Sequence, residues 1–179
     1  AVHPSYDLSQ ARPDDFKPKV GGMDFLSDGR MVVSTWTPNG TIYLVEGAQT
    51  GDPSKMKVKI IAEGLAEPLG LKVVEDEIYV LQKQELTHLI DHDGDDIIDE
   101  YRTLCGAWRV SANFHEFAFG LAYKDGYFYA ALATAIEPGG KSTFPQIQDR
   151  GKVIKVSRKD GSHEFIASGL RTPNGIGWG

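Results

Sequence analysis

The chain has 179 residues, 41% of them apolar and 10% aromatic, which suits one core-forming domain and excludes collagen-like, disordered and coiled-coil readings. Nineteen basic against 25 acidic residues leave a net charge of −6, which argues against nucleic acid or an acidic membrane surface as a partner, and no run reaches the ~20 apolar residues of a membrane span. Twenty Gly and nine Pro favour turns over long helices and point to an all-β fold.

Residues 1–19 are rich in Pro and Asp and read as an N-terminal arm. They carry neither the basic start nor the apolar run of a signal peptide. The absence of an initiator Met fits a processed mature chain and a trimmed one equally well.

From residue 20 onward one pattern recurs. Gly22-Met23-Asp24-Phe25 leads to a turn at Asp28-Gly29 and a second β-rich run. Gly70-Leu71-Lys72-Val73 does the same through Asp76, and Gly120-Leu121-Ala122-Tyr123 through Asp125-Gly126. An acidic residue with or without Gly between two β-rich runs is the chemistry of a tight hairpin. Further strands are expected at 41–46 and 58–62, at 85–91 and 101–105, and at 152–156 and 164–167, giving four strands per unit. A fourth copy opens at Gly175-Ile176-Gly177-Trp178. The copies lie ~50 residues apart, the period of a four-stranded propeller blade. The junction Gly64-Leu65-Ala66-Glu67-Pro68-Leu69-Gly70 returns as Gly169-Leu170-Arg171-Thr172-Pro173-Asn174-Gly175, two units later.

The spacing predicts a β-propeller with blades at about 20–65, 66–115 and 116–170 and the start of another at 171–179. The alternative is a β-sandwich with coincidental spacing. Expected core positions are Met23, Phe25, Val32, Leu71, Val73, Tyr79, Leu121, Phe128 and Ile154, which recur at equivalent points of the unit. Three blades and a stub do not close a ring of about four to eight blades. The chain is therefore expected to be a piece of a larger propeller, to need further blades or another chain at its open edge, and not to be a competent enzyme by itself. Cys105 has no disulfide partner and reads as a small buried hydrophobe.

Three places carry chemistry. In the loop 91–100, Asp91, Asp93 and Asp95 stand at alternate positions 1, 3 and 5 with Asp99 at position 9, as oxygen ligands of calcium do. Asp96 occupies the usual glycine position and Arg102 the usual final Glu. The alternative is a solvated acidic hairpin tip. His115, in Asn113-Phe114-His115-Glu116-Phe117, lies just before the third unit, where the inner strands of a propeller meet at the channel mouth. It is either a general base or a packed, hydrogen-bonded histidine. Arg171 and Asn174, with Thr172 between them, stand at the corresponding place before the fourth unit. They suit an anionic ligand, or else cap a turn at the rim. Asn39-Gly40-Thr41 matches a glycosylation sequon but reads first as a turn.

The run Gly151-Lys152-Val153-Ile154-Lys155-Val156, Asp160-Gly161, the 169–175 junction and His115 together resemble the soluble quinoprotein glucose and sorbosone dehydrogenases. The likeness spans roughly residues 20–179. It implies a six-bladed propeller holding pyrroloquinoline quinone (PQQ) over the channel mouth, with His115 taking the proton of a sugar hydroxyl. Arg171, Pro173 and Gly175 match the family's Arg-Asn-Pro-x-Gly motif, which contacts the quinone. Thr172 stands where Asn is usual, and Phe114 where an acidic residue precedes the His. The resemblance further implies a carbohydrate substrate, a c-type cytochrome as electron acceptor and a bacterial periplasmic or extracellular location. Pro173-Asn174-Gly175 is also similar to a motif of calcium-dependent lactonases, although Val20-Gly21-Gly22 offers no Glu like theirs. A non-catalytic carbohydrate-binding or scaffold propeller is the third reading.

Overall fold

The computed structural model describes residues 5–178. Twelve strands form three four-stranded antiparallel sheets. The first holds β1 (Val20–Phe25), β2 (Met31–Thr35), β3 (Ile42–Glu46) and β4 (Lys57–Ala62). β5 (Gly70–Val74), β6 (Glu77–Leu81), β7 (Leu86–Ile90) and β8 (Glu100–Cys105) make up the second. The third is built from β9 (Ala118–Lys124), β10 (Tyr127–Leu132), β11 (Lys152–Ser157) and β12 (His163–Ala167). In each sheet every strand bonds to its neighbour in sequence. The helical content among the described residues is two single turns, Ala48–Thr50 and Pro53–Lys55.

Turn chemistry sets the hairpins. Glu75 and Asp76 both adopt positive φ (54° and 65°), as do Asp125 and Gly126 (51° and 85°). Two such residues in succession match the twist of the flanking strands, and short acidic side chains tolerate that backbone at modest cost.

The sheets stack face to face, first on second and second on third. Val32, Ile42 and Leu44 meet Leu71, Ile78 and Val80 in one interior. Tyr79, Leu81 and Leu86 meet Leu121, Phe128 and Ile154 in the next, where Cys105 is also buried. Close approach of the inner strands depends on glycine. A Cβ on Gly22 would lie 2.6 Å from the Leu71 nitrogen, and one on Gly70 would lie 2.7 Å from the Gly120 carbonyl oxygen. Both distances are inside van der Waals contact.

Three expected core residues are not fully buried: Val73 is half-buried against the first interior, and two are exposed. Met23 is 55% and Phe25 49% exposed, because they face away from the second sheet. Their equivalents Leu71 and Leu121 are covered by the preceding sheet. On this outer face the arm packs Phe16 edge-on against Tyr43, at 4.9 Å, over Met31, Val33 and Val45, and borders a groove that reaches Val20 and Met23 of β1, which stay half exposed. The three sheets do not close into a ring.

Polar ties hold the stack at the hairpin end. Asp24 accepts the Val73 N–H at 2.9 Å and pairs with Lys72 at 2.6 Å. Arg158 of the third sheet donates to Glu75, Glu77 and the Tyr79 hydroxyl of the second, at 2.7, 2.9 and 3.1 Å. The Tyr79 hydroxyl, pushed up to about 12 by burial and then by Glu77, stays protonated. His88 stacks on Tyr79 at 4.5 Å, and burial holds its imidazole below the usual range against the pull of Glu77. The folded state thus binds fewer protons here than the unfolded chain. His88 contributes stability that is complete above its ordinary value of ~6.5 and is lost as pH falls through that value to the folded one. Glu77 is depressed by the Tyr79 hydroxyl bond and then Arg158, despite burial, so its share is lost only below about 4. Thermal unfolding followed from pH 7.5 to 3 should therefore show two successive losses of melting temperature. His88→Phe should abolish the upper one.

Candidate functional site

The loops 36–41, 63–69, 82–85, 106–117, 133–151 and 168–178 lie at one end of the strands, and the hairpins with the acidic loop 91–99 at the other. Strands of five to seven residues separate these ends by about 17–20 Å. His115 and Arg171 share the first end, and the four aspartates occupy the second.

At the first end, Asn113 starts the construction. Its side-chain oxygen accepts the His115 N–H at 2.9 Å, and its amide donates to the Ile136 carbonyl at 3.2 Å. The backbone carbonyl of Asn113 accepts from Lys83 of the second sheet at 2.9 Å. The imidazole is thereby placed with Nδ1 3.1 Å from the Thr134 carbonyl oxygen. A carbonyl only accepts, so Nδ1 is the donor, and in the neutral tautomer the lone pair lies on Nε2. That is the tautomer a general base needs.

Thr134 also reaches Arg171. Its N–H and hydroxyl both donate to the Arg171 carbonyl, at 2.9 and 3.1 Å, while the Arg171 guanidinium donates to the Gly140 carbonyl. One threonine thus brings together two residues 56 positions apart. Sequence reasoning did not single it out. The available signal was a polar residue just after the apolar run of β10, as Thr35 ends β2 and Gln82 follows β6. His115, Arg171 and Thr172 line a groove of about 520 Å³ with Phe114, Ile136, Glu137, Pro138, Gly139 and Gly140. The Thr172 hydroxyl is buried there without a hydrogen-bond partner. Asn174 is exposed nearby in the chain and is not among the groove's lining residues.

Under the histidine lie two buried charges. Glu116 is 1% exposed and accepts the Ser111 N–H. Arg150, 7% exposed, donates to the Arg109 carbonyl at 3.0 and 2.7 Å and to the Phe117 carbonyl at 3.1 Å. Burial pushes the guanidinium down, and Glu116 and Asp149 offset it.

Aromatic rings border the histidine. Phe114 stands edge-on to His115 at 5.8 Å, and Phe117 lies 5.4 Å from it. Trp36, in the loop after β2, sets its ring perpendicular to Phe117 at 6.0 Å. This contact links the first sheet's loop to the loop before the third sheet.

At the opposite end, the ligand atoms of Asp91, Asp93 and Asp99 lie within 4.8 Å of one another. Asp95 is not in that group. Its carboxylate turns back to the Ile97 N–H at 2.7 Å, and its carbonyl accepts from Lys59. Asp96 has φ +66°, the backbone that a glycine would supply, and pairs with Arg30 at 2.8 Å. Burial raises the Asp91 carboxyl, but the N–H groups of Gly94 and Asp96 overcome this and hold it below its usual range. A cation bound here would be too distant to touch a ligand of His115.

An all-β stack of blade-like sheets with a polar groove at one end is thus the class that the fold and the site define. No protein-family model matches the chain, and no curated protein matches it. Among solved structures it is similar to the iodide structure of Trichoderma reesei Carbohydrate-Active Enzymes Family AA12, with 13% identity and a TM-score of 0.49. That match covers 79% of this chain and 36% of the other.

Proposed function

We propose that the three sheets are blades of a propeller, six-bladed when complete, and that the chain forms part of a quinoprotein-type dehydrogenase oxidising a carbohydrate hydroxyl or aldehyde. The observation that carries this reading is the single groove joining His115, with Nε2 free, to Arg171 through Thr134. The half-exposed face at Met23 and Phe25, equivalent to faces covered in the other sheets, supports further blades.

The groove fits part of PQQ. Arg171 is the cation for one carboxylate. Asn174 adds an amide at the rim. The cofactor has three carboxylates and Glu137 also lines the groove, so further cations must come from elsewhere in the ring. The quinone, when bound, supplies the two-electron acceptor. His115 Nε2 takes the substrate hydroxyl proton, and the Nδ1 bond to the Thr134 carbonyl stabilises the imidazolium that results. The same reading makes a c-type cytochrome the electron acceptor and places the protein in the periplasm or outside the cell. No helix among the described residues is long and apolar enough to cross a membrane.

Titrating the complete-ring protein with PQQ, followed by the quinone absorbance and dye reduction with sugars, tests this. Saturable binding with sugar-dependent reduction is expected. The absence of both would leave a non-catalytic carbohydrate-binding propeller.

For the acidic loop the proposal is structural calcium on Asp91, Asp93 and Asp99. Millimolar calcium should then raise the melting temperature by ordinary linkage, and Asp99→Asn should cancel the rise while Asp95→Asn preserves most of it. An unchanged melting temperature in the parent would leave a solvated turn.

A further inference from the structure

A cavity of about 400 Å³ opens between the first and second sheets at the hairpin end, away from the His115 groove. That volume lies in the range of small-molecule sites. The floor is aliphatic: Leu44 and Ile61 of the first sheet meet Ile78 and Leu89 of the second, all four buried, with Leu26 and Ile98 half-buried beside them. Its walls are tied together. The Ser27 N–H and hydroxyl donate to Asp76 at 2.6 and 2.5 Å, and Arg30 joins Asp28 at 2.6 Å to Asp96 at 2.8 Å. The first hairpin is thus fastened to the second hairpin and to the acidic loop, and these bonds span the two sheets without filling the space between them.

The charged lining has nearly one sign. Asp28, Asp76, Glu77, Asp91 and Asp96 stand against the single guanidinium of Arg30, an excess of four negative charges. Giving Asp91 to the calcium loop still leaves three. His88 also lines the cavity, and burial keeps its imidazole neutral at pH 7. Bonds from the Arg30 N–H to Asp28 and from the Ser27 hydroxyl to Asp76 hold those two carboxyls below their usual range, so they stay ionised. Asp96 meets Arg30 through Oδ1, and Glu77 meets Tyr79 and Arg158 through Oε2, so each has a second oxygen to offer a ligand.

Asp28, Asp76 and Glu77 are exposed while the floor is buried, which puts the charge at the mouth and the apolar surface inside. A metal ion would leave the floor unused. A neutral hydrocarbon would desolvate the carboxylates without compensation. An alkylammonium meets both demands, because its three N–H groups serve several carboxylate oxygens while its chain covers the aliphatic residues.

We infer that this cavity binds a free aliphatic primary amine, with the ammonium among the carboxylates at the mouth and the alkyl chain on the floor. The site stands apart from the quinone reading of the opposite end, and neither depends on the other.

The experiment is a calorimetric titration of the full chain, freed of calcium, with butyl-, pentyl- and hexylammonium and with hexanol and hexanoate. Each added methylene should tighten binding by about three- to four-fold, the equivalent of ~0.8 kcal/mol per buried CH₂. Hexanol should bind about ten-fold more weakly than hexylammonium, and hexanoate should show no saturable binding. Nuclear Overhauser contacts from the hexyl chain should reach the methyl groups of Ile61, Ile78 and Leu89. Asp28→Asn combined with Asp96→Asn should bring hexylammonium down to the hexanol level and leave hexanol unchanged, asparagine being tolerated at the positive φ of position 96. Ile98→Trp should abolish binding of both by filling the cavity. Unfolding midpoints show whether each variant is folded, and the Overhauser contacts in the parent locate the ligand if Ile98→Trp is not. Equal affinity for hexylammonium and hexanol, indifference to chain length, no saturable binding, Overhauser contacts only to other residues, or undiminished hexylammonium binding in either folded variant would overturn the inference.

Discussion

Replacing Arg150 by Met should lower the unfolding free energy by about 3 kcal/mol, the order of the cost of leaving a buried carbonyl unpaired and a buried carboxylate without a nearby cation. Three backbone-directed bonds are lost together, two to the Arg109 carbonyl and one to Phe117. The Phe117 carbonyl keeps the Ala133 N–H at 2.9 Å, but the Arg109 carbonyl loses both of its bonds from Arg150, and Glu116, 1% exposed, loses its nearby opposite charge. For a domain of this size the change corresponds to a fall in melting temperature of about 10 °C. Glu116→Gln should cost less, because the amide oxygen still accepts the Ser111 N–H. The double variant should be more stable than the sum of the single effects implies, since it leaves no lone buried charge. Urea unfolding midpoints decide this, and strict additivity would show that the two charges do not sense each other. Because the pair anchors the segment on either side of His115, Arg150→Met should also broaden the His115 ring signals in NMR spectra at temperatures where the protein is still folded.

The second large effect concerns chemistry. In the complete ring, His115→Gln should reduce sugar-dependent dye reduction by about two to four orders of magnitude while leaving quinone affinity nearly unchanged. Glutamine keeps a donor for the Thr134 carbonyl but has no basic lone pair comparable to Nε2. On the proposed reading Arg171→Ala should act differently, weakening cofactor binding more than turnover at saturating quinone, because there the guanidinium would meet a carboxylate and not the reacting hydroxyl. Thr134→Val separates positioning from acid–base chemistry. It removes the hydroxyl bond to the Arg171 carbonyl but keeps the carbonyl that orients His115. It should resemble Arg171→Ala in direction, with a smaller effect. Parental rates in both the His115 and Arg171 variants would remove these roles.

Legibility in the sequence followed the range of the interaction. The hairpins at Asp76 and Asp125 were readable because a short acidic residue at positive φ is a local requirement. The repeated glycines were readable for a related reason, since a Cβ on Gly22 or Gly70 would collide with backbone whatever surrounds it. Met23 and Phe25 were misjudged because the burial of a sheet face depends on what packs against it, and their alternation matches that of Leu71 and Val73. At the acidic loop, alternate spacing nominated four carboxylates, but the same spacing lets Asp95 serve its own turn. Thr134 was invisible because its importance comes from two partners distant in the chain.

The uninterrupted pairing of each strand with its sequence neighbour has a consequence for biosynthesis. A hairpin closes in about 1–10 μs, whereas a ribosome adds only ~5–20 residues per second. Each four-stranded unit can therefore complete its ladder seconds before the next emerges, with no long-range loop to close first. It then waits with one apolar face bare, in vectorial order from the arm onward. For the first unit that wait is shortened by residues already synthesised, because Phe16 leaves the ribosome ahead of Tyr43, on which it packs. The second and third units have no such forerunner and rely on the face of the unit made before them. A pause after residues 70–105 have cleared the ribosome but before β9–β12 have followed would therefore prolong the exposure of a finished but uncovered second sheet, which is the interval in which a chaperone would be needed.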